Sequence, residues 1–285
     1  MLDGVLLLWY LLTAGSLVFI VWDLETNTPV TWVMKLAWVL VVLYTGPVGL
    51  FIYLLACRQP LPGTHDAYIA AHWKQSIGSL MHCVAGDATG IILAATVTYA
   101  LRLPNGIDLI IEYASGFLVG LFVFQSLFKV LMSRTSYFSA VRQSFFPETV
   151  SMNMVMTGML PVKAILMTKL AGADNPTRPA FWGIMALATL AGMITAYWIN
   201  SWMVGRGLKH GMMSATPASS GRPGVARADR AGAGPSHAGR DAAGTGAKMT
   251  AKLTPLHAAA VIAATAAVLV AAIWVTSRIV PLRFS

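Results

Sequence analysis

Long apolar runs without polar alternation dominate this chain. They fall at roughly 5–22, 32–56, 73–101, 108–132, 148–171, 179–205 and 256–277. At about 1.5 Å per helical residue, each can cross a hydrocarbon layer about 30 Å thick, with some tilt. Such a layer offers the backbone no hydrogen-bond partners, so only helices or closed barrels span it, and unalternating runs select helices. The pattern predicts an all-α, polytopic transmembrane bundle of about seven helices.

Reversal signals separate the runs: Thr26-Asn27-Thr28-Pro29, Gln59-Pro60-Leu61-Pro62-Gly63, Pro104-Asn105-Gly106 and Asn175-Pro176-Thr177-Arg178-Pro179. Gly46-Pro47 inside the second run predicts a kink. Over 213–252 the chain turns to Ala, Gly, Ser, Pro and Arg with almost no large apolar residue, a composition that predicts a disordered tether. The organisation expected is two N-terminal helices over 1–60, a four-helix membrane domain over 70–212, the tether, and a C-terminal helix within 253–285 that looks like an anchor.

Composition agrees: 56% of residues are hydrophobic, 11% are charged, and the mean hydropathy is +0.67. Ordinary soluble domains are about one-quarter charged. The net charge of +9 does not point to nucleic acid, because the basic residues lie between apolar runs without aromatic stacking surfaces beside them. It reads instead as topology. Arg58, Lys74, Lys129, Arg134, Arg142, Arg206, Lys209 and the tether's Arg222, Arg227, Arg230, Arg240, Lys248 and Lys252 fall in one set of loops, against Lys35, Arg102, Lys169 and Arg178 in the other. The excess predicts a cytoplasmic tether. With seven crossings, the N-terminus is then cytoplasmic and the C-terminus, with Arg278 and Arg283, external. Cys57 and Cys83 make no CxxC motif and no disulfide framework.

Polar groups at membrane depth are expensive, and each is a candidate functional residue. They concentrate between His72 and Arg206. In the third run His72, Ser76, Cys83 and Asp87 share one helical face, and Gly78, His82, Gly86 and Gly90 form the neighbouring stripe. Gly86–Gly90 and Gly116–Gly120 are GxxxG elements that predict close backbone approach of the third and fourth helices. The fifth run is expected to start at Phe146-Pro147-Glu148-Thr149, followed by Met152, Met156 and Met159 on the face of Glu148. Gln125, Asn153, Thr157, Tyr197 and Asn200 complete an intramembrane polar layer, with Asp87 and Lys163 further out at matching depth, as partners.

Methionine suits Cu(I), especially beside Cys and His. It is also adaptable core filler, and no ligand motif of fixed spacing decides between the two. Met81-His82-Cys83-Val84-Ala85-Gly86-Asp87-Ala88-Thr89-Gly90, Phe146-Pro147-Glu148-Thr149-Val150-Ser151-Met152-Asn153-Met154 and Tyr197-Trp198-Ile199-Asn200 resemble a bacterial family of membrane domains of unknown function, over roughly residues 70–212. Some relatives carry copper-related labels, so the resemblance implies a bacterial inner-membrane protein and favours the metal reading without supplying a reaction.

The leading expectation is therefore a protein that binds or passes a soft transition-metal ion, copper first. His82, Cys83, Met152 and Met156 would be the metal site, with Asp87 and Glu148 in support. Its partners would be the bilayer and a metal donor or acceptor protein. A redox subunit holding haem or quinone is the alternative, although His82 is the only histidine deep in a run, so haem would need a His and Met pair. A non-catalytic scaffold whose basic tether touches anionic lipid is the third. No ATPase loop, GxSxG elbow or HExxH site is present, which argues against hydrolytic chemistry.

Overall fold

The computed structural model describes residues 2–212 and 253–284, so the tether expected over 213–252 lies outside the described residues. The elements are α1 (Leu2–Thr26), α2 (Trp32–Ala56), the short α3 (His65–Ile69), α4 (His72–Ala100), α5 (Asn105–Leu118), a π-helical turn (Val119–Gln125), α6 (Ser126–Ser133), α7 (Tyr137–Lys169), α8 (Pro179–Gly205) and α9 (Pro255–Ser277). Seven helices are long and apolar enough to cross a membrane, with α5 to α6 counted as one. The all-helical, multi-pass architecture is as the hydropathy pattern predicts. One end of the bundle, where α8 stops and α9 starts, is called the tether end; the other is the far end.

The second run departs from a straight crossing. Gly46 takes φ 59° and ψ −138°, a conformation open to glycine and avoided by residues with a Cβ, and Pro47 prevents the helix from closing across it. The chain folds back there. Trp38 and Tyr53 would stand about 22 Å apart along one straight helix, yet their rings meet edge to face at 5.3 Å. The two arms of α2 thus form a helical hairpin with both feet at the tether end. Asp23 at the end of α1 pins the second foot, accepting from Tyr53 Oη at 2.6 Å and Arg58 Nε at 2.9 Å, while Glu25 pairs with Lys35 of the first at 3.0 Å.

This reversal corrects the expected topology. The start of α1 lies at the far end, where Tyr10 Oη donates to the Pro179 carbonyl at 2.5 Å and Leu6 packs on Gly183. α9 also finishes at the far end, with Arg283 bonded through its backbone to Asn105 and Gly106 at the head of α5. Because α2 turns back at Gly46, the two ends of the described chain share one end of the bundle, whereas seven straight helices would place them at opposite ends.

The glycine prediction holds. A Cβ on Gly86 would collide with the Gly120 backbone, and one on Gly90 with the backbone of Ser115 and Gly116, so α4 and the α5 to α6 helix are in backbone contact. α7 begins at Tyr137, nine residues before the expected start at Phe146, and carries Pro147 inside it. Membrane helices tolerate such a proline where neighbours satisfy the freed carbonyl. α9 is more than an anchor: Thr265 accepts a hydrogen bond from Asn153 of α7 at 3.1 Å.

Candidate functional site

The site lies where α4, α7 and the π-helical turn meet. Asp87 comes from the middle of α4 and Glu148 from the position directly after Pro147 in α7, and both are fully buried. Between them is Gly120. A Cβ there would run into both Asp87 Oδ1 and Glu148 Oε1, so the two carboxyl groups meet over a glycine that has no side chain to keep them apart. π-Helical turns frequently mark functional sites, and this one brings Gly120 and Gln125 into the cluster. None of the four carboxyl oxygens has a donor outside the pair at ordinary hydrogen-bond geometry, although the Gln125 amide lies beside Glu148. Two such groups are acceptors only when ionised, and like charges so close cannot both persist; the contact is completed by a proton or a cation.

One helical turn toward the tether end, Cys83 is the centre of a second layer. Its thiol faces the amide of Gln125, the ammonium of Lys209 and, at 3.8 Å, Asn200 Oδ1. Asn200 donates to Ser151 Oγ at 3.0 Å and receives Lys209 Nζ at 2.8 Å. Lys209 and Gln125 are within electrostatic reach of Glu148, and Lys209 of Asp87. His82 sits to one side: its ring stacks on Phe128 at 4.3 Å, Nδ1 lies 3.9 Å from Cys83 Sγ, and Nε2 is buried without a partner. A cleft of about 20 Å³, bordered by His82, Gln125, Lys129, Lys209 and His210, opens here, room for about one water. Outside the spans, burial and the Lys129 charge hold His210 below the ordinary histidine range.

Toward the far end, Tyr113 is within electrostatic reach of both acids and donates to Asn153 Oδ1 at 2.8 Å. Beyond it Lys163 bonds Asp108 Oδ2 at 2.8 Å and also Glu112, while Thr98 donates to Asp108. This triad borders a cavity of about 380 Å³ that also includes Asn105, Thr168 and Asp174.

Lys163 is therefore not the partner of Asp87. Because α7 starts at Tyr137, Lys163 stands well beyond the depth of Asp87 and meets the acids of α5 instead. Of the predicted polar layer, Gln125 and Asn200 join the Cys83 cluster and Asn153 joins Tyr113. Thr157 bonds only its own helix, at the Asn153 carbonyl, and Tyr197 pairs edge-on with Trp198. Met152 and Met156 are buried in the apolar core, and the Met152 methyl packs against Gly116, one turn from the acid pair. Among the described residues no three His, Cys, Asp or Glu side chains are arranged to hold a metal ion together.

Sequence reasoning passed over Lys209, Ser151, Tyr113, Asp108 and Glu112. Asp108 and Glu112 carried a legible signal, two acids at i, i+4 in an apolar run. Lys209 carried none, since it follows the last residue of its helix and counted only as a loop charge. No curated protein and no solved structure matches the chain. Residues 72–209 match the family model described as Domain of unknown function (DUF4396). The stretch that matches this model, from the first residue of α4 to Lys209, contributes every member of the acid pair and the Cys83 layer.

Proposed function

We propose that this protein moves a cation across the membrane, with the Asp87–Glu148 pair as the group that takes up and releases its charge. The observation carrying this reading is the pair itself: two fully buried carboxyl groups in contact, with no salt-bridge partner and no well-formed hydrogen bond from outside the pair. An unpartnered polar group at such depth costs several kcal/mol, a cost that structure alone gives no reason to keep. Polar side chains continue on both sides of the pair. His210, His82 and Lys209 lead to it from the tether end, and Tyr113, Asn153, Glu112 and Lys163 lead away to the far-end cavity.

The test is ion flux in proteoliposomes holding a pH-sensitive dye, under an imposed potential, with K⁺, Na⁺ or protons as the only permeant cation. Wild-type protein is expected to dissipate the gradient, and Asp87→Asn and Glu148→Gln each to slow it at least tenfold. Equal rates in empty and loaded vesicles would overturn the reading.

A soft-metal site is the second reading, favoured by the flanking donors: Cys83 lies one turn from Asp87 and Met152 one turn from Glu148. His82, at 3.9 Å from the thiol, and Met156, one further turn along α7, would extend that set. Stoichiometric copper in purified protein, lost in Cys83→Ser, would support it; a Soret band in the visible spectrum would point to haem instead.

The folded-back α2 and the distribution of Lys and Arg support one orientation in a bacterial inner membrane. With α2 folded back, Lys35 moves to the tether end, where it pairs with Glu25 at 3.0 Å, and the excess of Lys and Arg there grows. The tether end is then cytoplasmic and both termini are external. Reporters fused before Leu2 and after Ser285 should both read external, and one at Gly232 cytoplasmic. A cytoplasmic N-terminal reporter would refute the hairpin topology.

A further inference from the structure

The geometry points to a binding site for a compact monovalent cation beside the acid pair, filled in this structure by the ammonium of Lys209 acting as a tethered plug. This rests on reading Asp87–Glu148 as the charge-handling centre, and adds the ligand class and the means of closure. After α8 ends at Gly205 the chain does not leave the bundle. Gly207, at φ +66°, turns it back, and residues 208–212 re-enter the tether-end mouth without regular structure. There the chain lies directly against α4: a Cβ on Gly78 would collide with Met212, and one on Gly211 with Gln75. Glycines on both sides thus admit the segment into a slot that side chains would fill.

What the segment inserts is one charge. Lys209 is only 6% exposed, and its ammonium contacts Asn200 Oδ1 and Cys83 Sγ, with both acids within electrostatic reach. A lysine head is a compact point charge on a flexible stem. Its seat is an uncharged amide oxygen and a sulfur at the edge of a carboxyl pair that lacks any other cation. A free monocation, K⁺, Na⁺ or ammonium, could take the same seat with no change in the charge of the site.

Two measurements test this on the full chain. In wild-type proteoliposomes, acylation of Lys209 by a membrane-permeant amine reagent, followed by mass spectrometry, is expected to rise severalfold with added K⁺ or Na⁺ over choline at equal ionic strength. Lys163, held by two acids, should stay unchanged. In Lys209→Met the seat is vacant, and the unfolding temperature should rise with K⁺, Na⁺ or ammonium but not with choline, whereas the wild type should respond little. Acylation independent of the cation overturns the proposal even if the variant fails to fold, and so does a folded variant indifferent to every cation. If Lys209 is released by cations but wild-type vesicles pass none, the binding site stands and the transport reading falls. If flux occurs and Lys209 never responds, transport stands and the plug falls.

Discussion

Asp23 and the Asp87–Glu148 pair are equally buried, each with no exposed surface, yet their surroundings are opposite. Asp23 receives Tyr53, Arg58, Thr28 and Asn27, so both of its oxygens are bonded. Its work is mechanical, holding the second foot of the α2 hairpin and the loop after α1 to the end of α1. Asp108 and Glu112 stand between the extremes, sharing the ammonium of Lys163. Asp87 and Glu148 have each other, the Gln125 amide beside Glu148 and the edge of Lys209, but no ion pair of their own. A buried acid with its own donors needs no further partner, whereas a pair without them is costly to keep, and that contrast is what the proposed cation-handling role rests on.

Breaking one partner of a satisfied site should have the largest effect. Lys163→Met leaves Asp108 and Glu112 facing each other without a cation and should lower stability in detergent by about 3–5 kcal/mol. An unfolding midpoint close to wild type would mean the triad is not coupled. Next, Asp23→Asn keeps the shape but weakens the bonds from Tyr53 and Arg58, at about 1–3 kcal/mol; the loss is moderated because the Arg58 side chain is 41% exposed and can return to water. Protease sensitivity of the 57–71 segment should rise with it, and an unchanged cleavage pattern would remove Asp23 from its pinning role.

The same chemical change at the unpartnered site should do little or even stabilise. Asp87→Asn removes a like charge and supplies a donor to Glu148, so its stability should stay within about 1 kcal/mol of wild type. A loss as large as that of Lys163→Met would erase the distinction between the regions.

The smallest effect concerns His210, which faces Lys129 and shares a cleft with His82 and Lys209. Its folded value lies below the ordinary 6.5, so the packed segment favours the neutral ring. That contribution is present above about pH 6.5 and is lost as the pH falls below it. His210→Gln should flatten this acid sensitivity of the unfolding midpoint, a difference below about 1 kcal/mol. An unaltered pH profile would show that His210 is uncoupled from the plug.

Hydropathy alone determined the all-helical membrane class, because the need to satisfy every backbone group in hydrocarbon is met within each run and requires no knowledge of neighbours. The GxxxG contact of α4 with the next helix and the break at Gly46-Pro47 were legible for the same reason: spacing and backbone freedom are local properties. Only the tertiary structure decided how far α2 turns at Gly46, since a kink and a complete reversal share one sequence signal and differ by the contacts that hold Trp38 to Tyr53. It also decided that Glu148, expected near a helix start, is a buried mid-helix acid facing Asp87, and that Lys163 belongs to Asp108 and Glu112. Depth and helical phase narrow such pairings, but the start of α7 sets the register. Whether a buried carboxyl is partnered depends on every chain segment packed around it, including a lysine that follows the end of its own helix.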